Sequence, residues 1–220
     1  MSADLRIELP EDALALLSIL DTAGFEAWAV GGFVRDALLG RSDIDIACSA
    51  MWADTKHVCE QAGLRTHETG VAHGTITVIC GDSAFEVTTF RSDGQYNDGR
   101  HPDSVSFVSS IEEDLARRDF TINAMAWRPD RGLIDPFGGK ADIELGVIRA
   151  VGDPHQRFAE DALRILRACR FSAELGYAIE PCTYQGMLEN KGLLSKISAE
   201  RVTHELQKLL LGPHAGDALL

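Results

Sequence analysis

Two aspartates separated by one residue, Asp43 and Asp45, alternate with Ile44 and Ile46 in the run S-D-I-D-I-A. In a strand, successive side chains point to opposite faces. Both carboxylates then leave on one face while both isoleucines enter a core. Two acids roughly 6–7 Å apart along a strand repel unless a cation lies between them. Hard oxygen ligands of this kind suit Mg²⁺ or Mn²⁺. Just upstream, Gly31 and Gly32 stand where a strand hands over to a helix, with Arg35 one turn in. A helix N-terminus with glycine amides suits a phosphate, and Arg supplies a fork of donors to its oxygens. A glycine pair alone marks only a tight turn. With the acidic pair close behind it, the stretch suggests a metal–nucleotide site.

Three further groups bear on chemistry. Glu86 lies on the strand face opposite Phe85 and Val87 and is a candidate third carboxylate. Arg117-Arg118-Asp119-Phe-Thr-Ile-Asn123 is a dense polar cluster before an apolar strand: Arg118 suits a triphosphate, Asp119 or Asn123 a ribose. Taken alone, it reads as a capped helix end. Glu160-Asp161-x-x-Arg164-x-x-Arg167-x-x-Arg170 could be a solvated helix face held by i,i+3 ion pairs. It also permits a sharper reading. Asp accepts hydrogen bonds and Arg donates them. Cytosine and adenine each show an amino donor beside a ring-nitrogen acceptor, and uracil and guanine show the reverse. An Asp161–Arg164 pair against that edge accepts C and A and rejects U and G without a template. Arg167 and Arg170 drift off that face and suit phosphates or RNA.

The elements that must position these groups follow from periodicity. Glu11 to Thr22 carries a helical apolar stripe, with Pro10 before it and Gly24 after it. A strand at 27–30, a helix through Leu39, a strand at 43–48 and a helix over roughly 52–62 come next. Gly74–Cys80 and Ala84–Phe90 are β-branched runs joined by Gly81-Asp82-Ser83, a hairpin. Arg91 to Pro102 is polar with two Asp-Gly steps, a loop. Val105–Val108 and Ala124–Arg128 read as strands, and Ser110 to Glu113 as a capping box. After Pro154 strand signals cease. Arg157–Leu175 reads as one long helix, Pro181 starts another, and Ser198 caps a third with apolar positions 202, 206, 209 and 210. The chain thus falls into an α/β part, residues 1–150, and an all-α part, residues 151–220.

Composition narrows the classes. The 220 residues are 45% hydrophobic, enough for a sizeable core, and no apolar run approaches a membrane span. The acidic N-terminus is unlike a signal peptide. Five cysteines without CxxC pairing read as reduced and mostly buried, in a cytoplasmic protein. A net charge of −13 counts against a large nucleic-acid footprint on this chain but admits a nucleotide. The closing G-P-H-A-G-D-A-L-L looks like the start of a further helix, so a longer natural form is expected.

Taken in order, G-G-F-V-R-D-A-L-L-G with D-I-D-I-A, F-E-V-T-T-F-R-S-D-G-x-Y-x-D-x-R-H-P, R-R-D-F-T-I-N-A-M-A, E-D-A-L-R-I-L-R-A-C-R-F and I-S-A-E-R-V resemble the motifs of the class II tRNA nucleotidyltransferases. These are the CCA-adding enzymes, close relatives of bacterial poly(A) polymerases. The resemblance spans roughly residues 25–212. It implies an α+β fold: a polymerase-β-like head with a mixed sheet, then an all-α neck. It implies CMP and AMP transfer from CTP and ATP to the tRNA 3′ end, with Mg²⁺. By motif, Asp43 and Asp45 are metal ligands. Gly32, Arg35 and Arg118 fall on nucleotide-binding positions, and Gly31 precedes them. Asp161, Arg164, Arg167 and Arg170 fall on those of the E-D-x-x-R helix, with Asp161 and Arg164 reading the base. The loop 91–102 matches the loop that helps the switch from C to A. Two departures stand out: the turn Gly40-Arg41-Ser42-Asp43 is shorter than the family's usual one, and the family continues into helices that hold the tRNA acceptor arm, so weak tRNA binding is expected. The rivals are a poly(A) polymerase, an A-only or CC-only enzyme, and a non-catalytic nucleotide-binding fragment needing a partner. T-G-V-A-H-G-T-I-T-V looks more like the tRNA enzymes, and the full-length loop 91–102 speaks against CC-only.

Overall fold

The computed structural model describes residues 7–39, 44–93 and 105–218. The expected short turn 40–43, with Asp43, and most of the expected loop 91–102 lie outside them. The fold is α+β, and the chain divides into two units. The first holds residues up to Ser92 together with Ser106–Leu115 and Met125–Pro136. The second holds Asp93–Val105, Ala116–Ala124 and Phe137 onward. The helical unit therefore reaches behind the boundary expected at 150/151. The reason is packing: Phe120, Ile122 and Ile148 share a core with Phe158, Ile165 and Phe171.

Elements run in the order α1 (Glu11–Thr22), β1 (Ala27–Val30), α2 (Gly32–Leu38), β2 (Asp45–Cys48), α3 (Trp52–Gln61), β3 (Arg65–Gly70), β4 (Thr75–Cys80) and β5 (Ser83–Thr89). Then come β6 (Arg91–Asp93), β7 (Val105–Phe107), α4 (Ile111–Ala116), β8 (Ala126–Arg128) and β9 (Gly132–Ile134). Seven of the strands form one mixed sheet in the order β3-β4-β5-β2-β1-β8-β9. Only β2 and β5 pair in parallel; the other neighbours run antiparallel. Alternation decides the faces. Ile46, Cys48, Ile76, Val78, Phe85 and Val87 point into a core shared with Leu16, Leu20 and Cys59. Asp45, Thr75, Thr77, Glu86 and Thr88 alternate onto the opposite face.

Three expectations change here. β3 has no apolar alternation and was not expected as a strand; it is an edge strand that needs one ladder of hydrogen bonds, from β4, and buries little. Arg91–Asp93 is a strand rather than the start of a loop. Ser110 donates its hydroxyl to Glu112, 2.6 Å away, in place of a capping box with Glu113.

The second unit continues with α5 (Gly139–Leu145), β10 (Val147–Ile148), α6 (Pro154–Glu160), α7 (Leu163–Leu175), β11 (Ala178–Ile179), α8 (Pro181–Asn190), α9 (Ala199–Leu211) and α10 (Ala215–Ala218). It is helical except for one parallel pair, β10 with β11. Phe120 meets Phe171 edge-to-face at 5.8 Å within its core. Asp153 caps α6 by accepting from the His155 and Gln156 amides.

The five cysteines are free, as expected. Burial pushes Cys48 up to about 11 and Cys59 up to about 12. Thiolates carry thiol reactivity. A thiol-reactive dye at neutral pH is therefore expected to label exposed Cys182 first and to reach Cys48 and Cys59 only on unfolding, read by mass spectrometry. A raised folded-state pKa has one sign. Stability from these thiols is complete below about pH 8.5, the unfolded value, and is lost as pH rises toward 11–12.

Candidate active site

In the first unit the chemistry-bearing residues sit at the ends and on the open face of the sheet. Gly31 has φ 67° and ψ −130°, a conformation open only to glycine, and this lets the chain leave β1 and enter α2 within one residue. Its N–H donates to the Met125 carbonyl at 3.1 Å, so that amide is not bare, contrary to expectation. Its carbonyl accepts from the Val34 and Arg35 amides. Arg35 is buried and grips Asp36 with both arms, Nε to Oδ1 at 2.8 Å and Nη2 to Oδ2 at 2.9 Å. A phosphate at Arg35 has to compete with that carboxylate.

Asp45 opens β2 and is exposed. In register it faces Glu86 of β5 across the parallel pair, and Glu86 in turn faces Thr77 of β4. Residues in register share a face, and neighbouring strands lie about 4.8 Å apart. Two exposed carboxylates therefore stand side by side, bordered by hydroxyls: Thr75 bonds Thr88 and Thr69 bonds Thr77, each at 2.9 Å. Among the described residues, no group of three or more His, Cys, Asp or Glu could hold a metal ion. The donor set at Asp45 and Glu86 is all hard oxygen, which fits Mg²⁺ rather than a soft metal.

In the second unit the expected single helix over 157–175 is broken. Asp161 takes φ −140° and ψ 105° between α6 and α7. Its Oδ1 accepts from the Leu163 amide at 3.0 Å and its carbonyl accepts from the Arg164 amide. A short acid that satisfies helix-start amides competes with helix continuation, so α7 begins here. The Asp161 Oδ2 accepts from Arg201 of α9 at 2.9 Å. Arg164 is buried. It pairs with Glu160 at 2.6 Å and donates to the Arg157 and Arg117 carbonyls. Asp161 and Arg164 are thus held by separate partners.

Asp119 is buried within a cage of donors. Its Oδ1 accepts from the Phe120 amide and from Asn123 Nδ2, and its Oδ2 pairs with Arg167 at 2.6 Å. Burial raises its pKa, but Arg167, Asn123 and Arg164 outweigh that and hold the carboxyl well below the usual carboxylate range. Arg170 reaches Glu205 of α9 at 2.9 Å and lies over the Phe171 ring at 4.2 Å. Arg118 is half-buried on the segment before Asp119. Sequence reasoning gave Asp119 and Asn123 to a ribose and Arg167 and Arg170 to phosphates or RNA. The structure ties these side chains to one another and to α9.

Sequence reasoning missed Arg201 and Glu205. The expected inward stripe of α9 was 202, 206, 209 and 210, but Leu206 and Leu210 face outward while Glu205 and Leu209 are buried. Charge decided the rotation, because Arg167 and Arg170 on α7 need an acid opposite them. The signal available in the sequence was the Arg201/Glu205 spacing of four, which puts both on one helix face.

The first unit is an α+β sheet on which Asp45 stands beside Glu86, and the second is a helical unit rich in ion pairs. The family described as Poly A polymerase head domain matches residues 27–149, and the one described as "Probable RNA and SrmB- binding site of polymerase A" matches residues 176–220. The chain belongs to the poly A polymerase head-domain family. It is 52% identical over 204 residues to the CCA-adding enzyme of Pediococcus pentosaceus, covering 92% of this chain and 50% of that protein. To the CCA-adding enzyme of Geobacillus stearothermophilus it is 49% identical, covering 95% and 51%. Among solved structures it matches the Bacillus stearothermophilus CCA-adding enzyme in complex with CTP, with TM-score 0.86 and 46% identity over 95% of this chain and 50% of that one. The Thermotoga maritima CCA-adding enzyme complexed with tRNA_CCA matches with TM-score 0.77 and 29% identity over 98% and 51%. The chain spans about half the length of the curated relatives it matches. Among the described residues, no helix is long and apolar enough to cross a membrane.

Proposed function

We propose that this chain transfers CMP and AMP from CTP and ATP to the 3′ end of tRNA, without a template and with release of pyrophosphate. The observation that carries the reading is the register of Asp45 with Glu86 on an open sheet face, in a chain sharing about half its residues with CCA-adding enzymes. The RNA 3′-hydroxyl attacks the α-phosphorus; the new O–P bond forms as the bond to pyrophosphate breaks. Asp43, Asp45 and Glu86 are the residues that would hold Mg²⁺, which when bound lowers the pKa of the attacking hydroxyl and screens the triphosphate. Gly32, Arg35 and Arg118 bind triphosphate oxygens, Arg35 by exchanging Asp36 for phosphate. Asp161 accepts from the amino group of C or A, and Arg164 donates to the ring nitrogen beside it. Arg201 pairs with Asp161 and Glu160 with Arg164, while Asp119, Asn123, Arg167 and Arg170 form a separate network with one another and with Glu205. Under this reading the protein works in the cytoplasm, and tRNA binding by this chain is weak, consistent with its net charge of −13.

The test is incubation with labelled CTP or ATP and tRNA ending at the discriminator base, at C or at CC. Addition of two C residues and one A is the expected result. Addition of A alone to any RNA end supports the second reading, poly(A) synthesis, which the head-domain family description favours. Nucleotide binding without incorporation on any primer supports a non-catalytic module.

A further inference from the structure

We infer that the β3 edge of the sheet holds the phosphate backbone of the RNA strand behind its 3′ end, through Arg65, His67 and the Thr69–Thr77 hydroxyl pair; this rests on the proposed attack at the acidic pair. Topology gives the direction. The Gly31–Gly32 turn, placed to hold the triphosphate, follows β1. β1 lies on one side of β2, and β5, β4 and β3 lie on the other. In-line displacement puts the attacking hydroxyl and the leaving pyrophosphate on opposite sides of the α-phosphorus. With the triphosphate on the β1 side of Asp45, the RNA 3′-hydroxyl comes in over β5, and the strand behind it runs across β4 and β3.

The residues on that path suit a phosphate backbone. His67 is in register with Thr77, Thr77 with Glu86, and Glu86 with Asp45, so the four form one row on the open face. The row spans three strand spacings, roughly 14 Å. Arg65, two residues before His67, shares its face. Both side chains are exposed, and among the described residues neither has a hydrogen-bond or ion-pair partner. The reverse face of the same strand is matched: Glu68 takes Lys56 of α3 at 2.6 Å, and Thr66 donates to Glu60 of α3 at 2.8 Å. Two donors of β3 are thus left for something outside the fold. A guanidinium takes a phosphate by two parallel hydrogen bonds, and an imidazole N–H gives one. Thr69 and Thr77 carry two hydroxyl protons and use one between them, at 2.9 Å, which leaves one for a phosphate oxygen. Charged side chains also guard edge strands against pairing with other chains. A charge of either sign does that, so reversing the sign at Arg65 separates the two roles.

The experiment is fluorescence anisotropy of the whole 220-residue chain with a labelled acceptor-stem RNA hairpin ending in CC, at several salt concentrations. CTP binding by equilibrium dialysis and thermal melts run beside it. Arg65→Glu should weaken RNA binding by about tenfold or more, since a charge-assisted phosphate contact becomes a repulsion. Arg65→Gln should lose less and flatten the plot of log K against log salt by about 0.7, the value of one phosphate contact on a single strand. His67→Gln and Thr77→Val should each lose about threefold, less than Arg65→Gln, because a neutral donor is removed. In all four, CTP binding and the melting temperature should stay at wild-type values, and KM for RNA should rise with kcat kept. Lys56→Gln, the same charge change on the reverse face, should leave RNA binding as it is. The inference is overturned if folded Arg65→Glu binds RNA like the wild type, if Lys56→Gln reproduces the loss, or if the wild type does not bind the hairpin at low salt. If Arg65→Glu does not fold, the salt slope of Arg65→Gln decides. RNA held through Arg65 and His67 without any nucleotide added would overturn the proposed transfer and leave this strip standing, a result distinct from failure of the Arg65 variants.

Discussion

Asp45→Asn is expected to cut incorporation of labelled CMP into tRNA lacking CCA by at least about 10³-fold, roughly 4 kcal/mol of transition-state stabilisation, with the melting curve essentially unmoved. The two halves of this expectation have separate grounds. Asp45 is exposed at the mouth of β2, so the near-isosteric change leaves the core formed by Ile46 and Cys48 intact; surface substitutions of this kind usually stay within about ±0.5 kcal/mol. The loss in rate follows from charge. An amide at this place neither balances a divalent cation nor complements the charge that develops as pyrophosphate leaves. Glu86→Gln, one strand across, should cost less, about 10–10²-fold, if Glu86 supports rather than leads. Asp43→Ala should match Asp45→Asn. Incorporation at the wild-type rate in either aspartate variant would falsify the assignment of the acidic pair. Unchanged nucleotide binding with lost incorporation would place the defect in the chemical step.

The second large effect falls on stability. Asp119→Ala should destabilise the second unit by ~3–5 kcal/mol, the cost of leaving a buried charge without its partner, and lower the melting temperature by about 6–20 °C. The deleted carboxylate carries the Phe120 amide, Asn123 and the Arg167 fork. Its removal leaves Arg167 facing Glu205 only at 3.8 Å, beside Arg170 of like charge. Asp119→Asn should cost less, because the amide oxygen still accepts from Phe120. Acid gives an independent readout. The Asp119 carboxyl is held below its ordinary value, so the stability it contributes is present above the unfolded pKa of about 4 and is lost as pH falls through the depressed folded value. Wild-type stability should therefore drop steeply in strong acid, and the Asp119→Ala curve should be flatter there. Parallel curves measured by chemical denaturation from pH 6 to pH 2 would show that Asp119 is not the titrating group.

The elements legible in advance were those with strong periodicity or punctuation. α1, β1, the β4–β5 hairpin at Gly81 and the Pro181 start of α8 lie within a residue or so of expectation. Those that escaped had no local apolar code. β3 is polar throughout and owes its existence to the edge of β4. The two-residue strands β10 and β11 are made by each other, about thirty residues apart in the chain. The break at Asp161 was hidden because E-D-x-x-R is compatible with a continuous helix. It takes the Leu163 amide and the Arg201 guanidinium together to favour the bent form.

For the site, the division has one physical cause. Residue type and short-range spacing state what a side chain can do, and so the sequence alone determined that Asp43, Asp45 and Glu86 are oxygen donors, that Gly31 and Gly32 mark a tight turn between strand and helix, and that Asp161 and Arg164 offer an acceptor and a donor. Which partner each group meets depends on elements distant in sequence and adjacent in space. Only the tertiary structure set Glu86 in register with Asp45, spent the Gly31 amide on Met125, and drew Asp119 and Arg167 into an internal pair. It also turned α9 so that Glu205 and Arg201 face inward in place of Leu206 and Leu210. A hydrophobic stripe predicts the buried face of a helix when its neighbour is apolar. Here α7 presents arginines, whose charge must be met, and that demand is written on a different helix from the one that answers it.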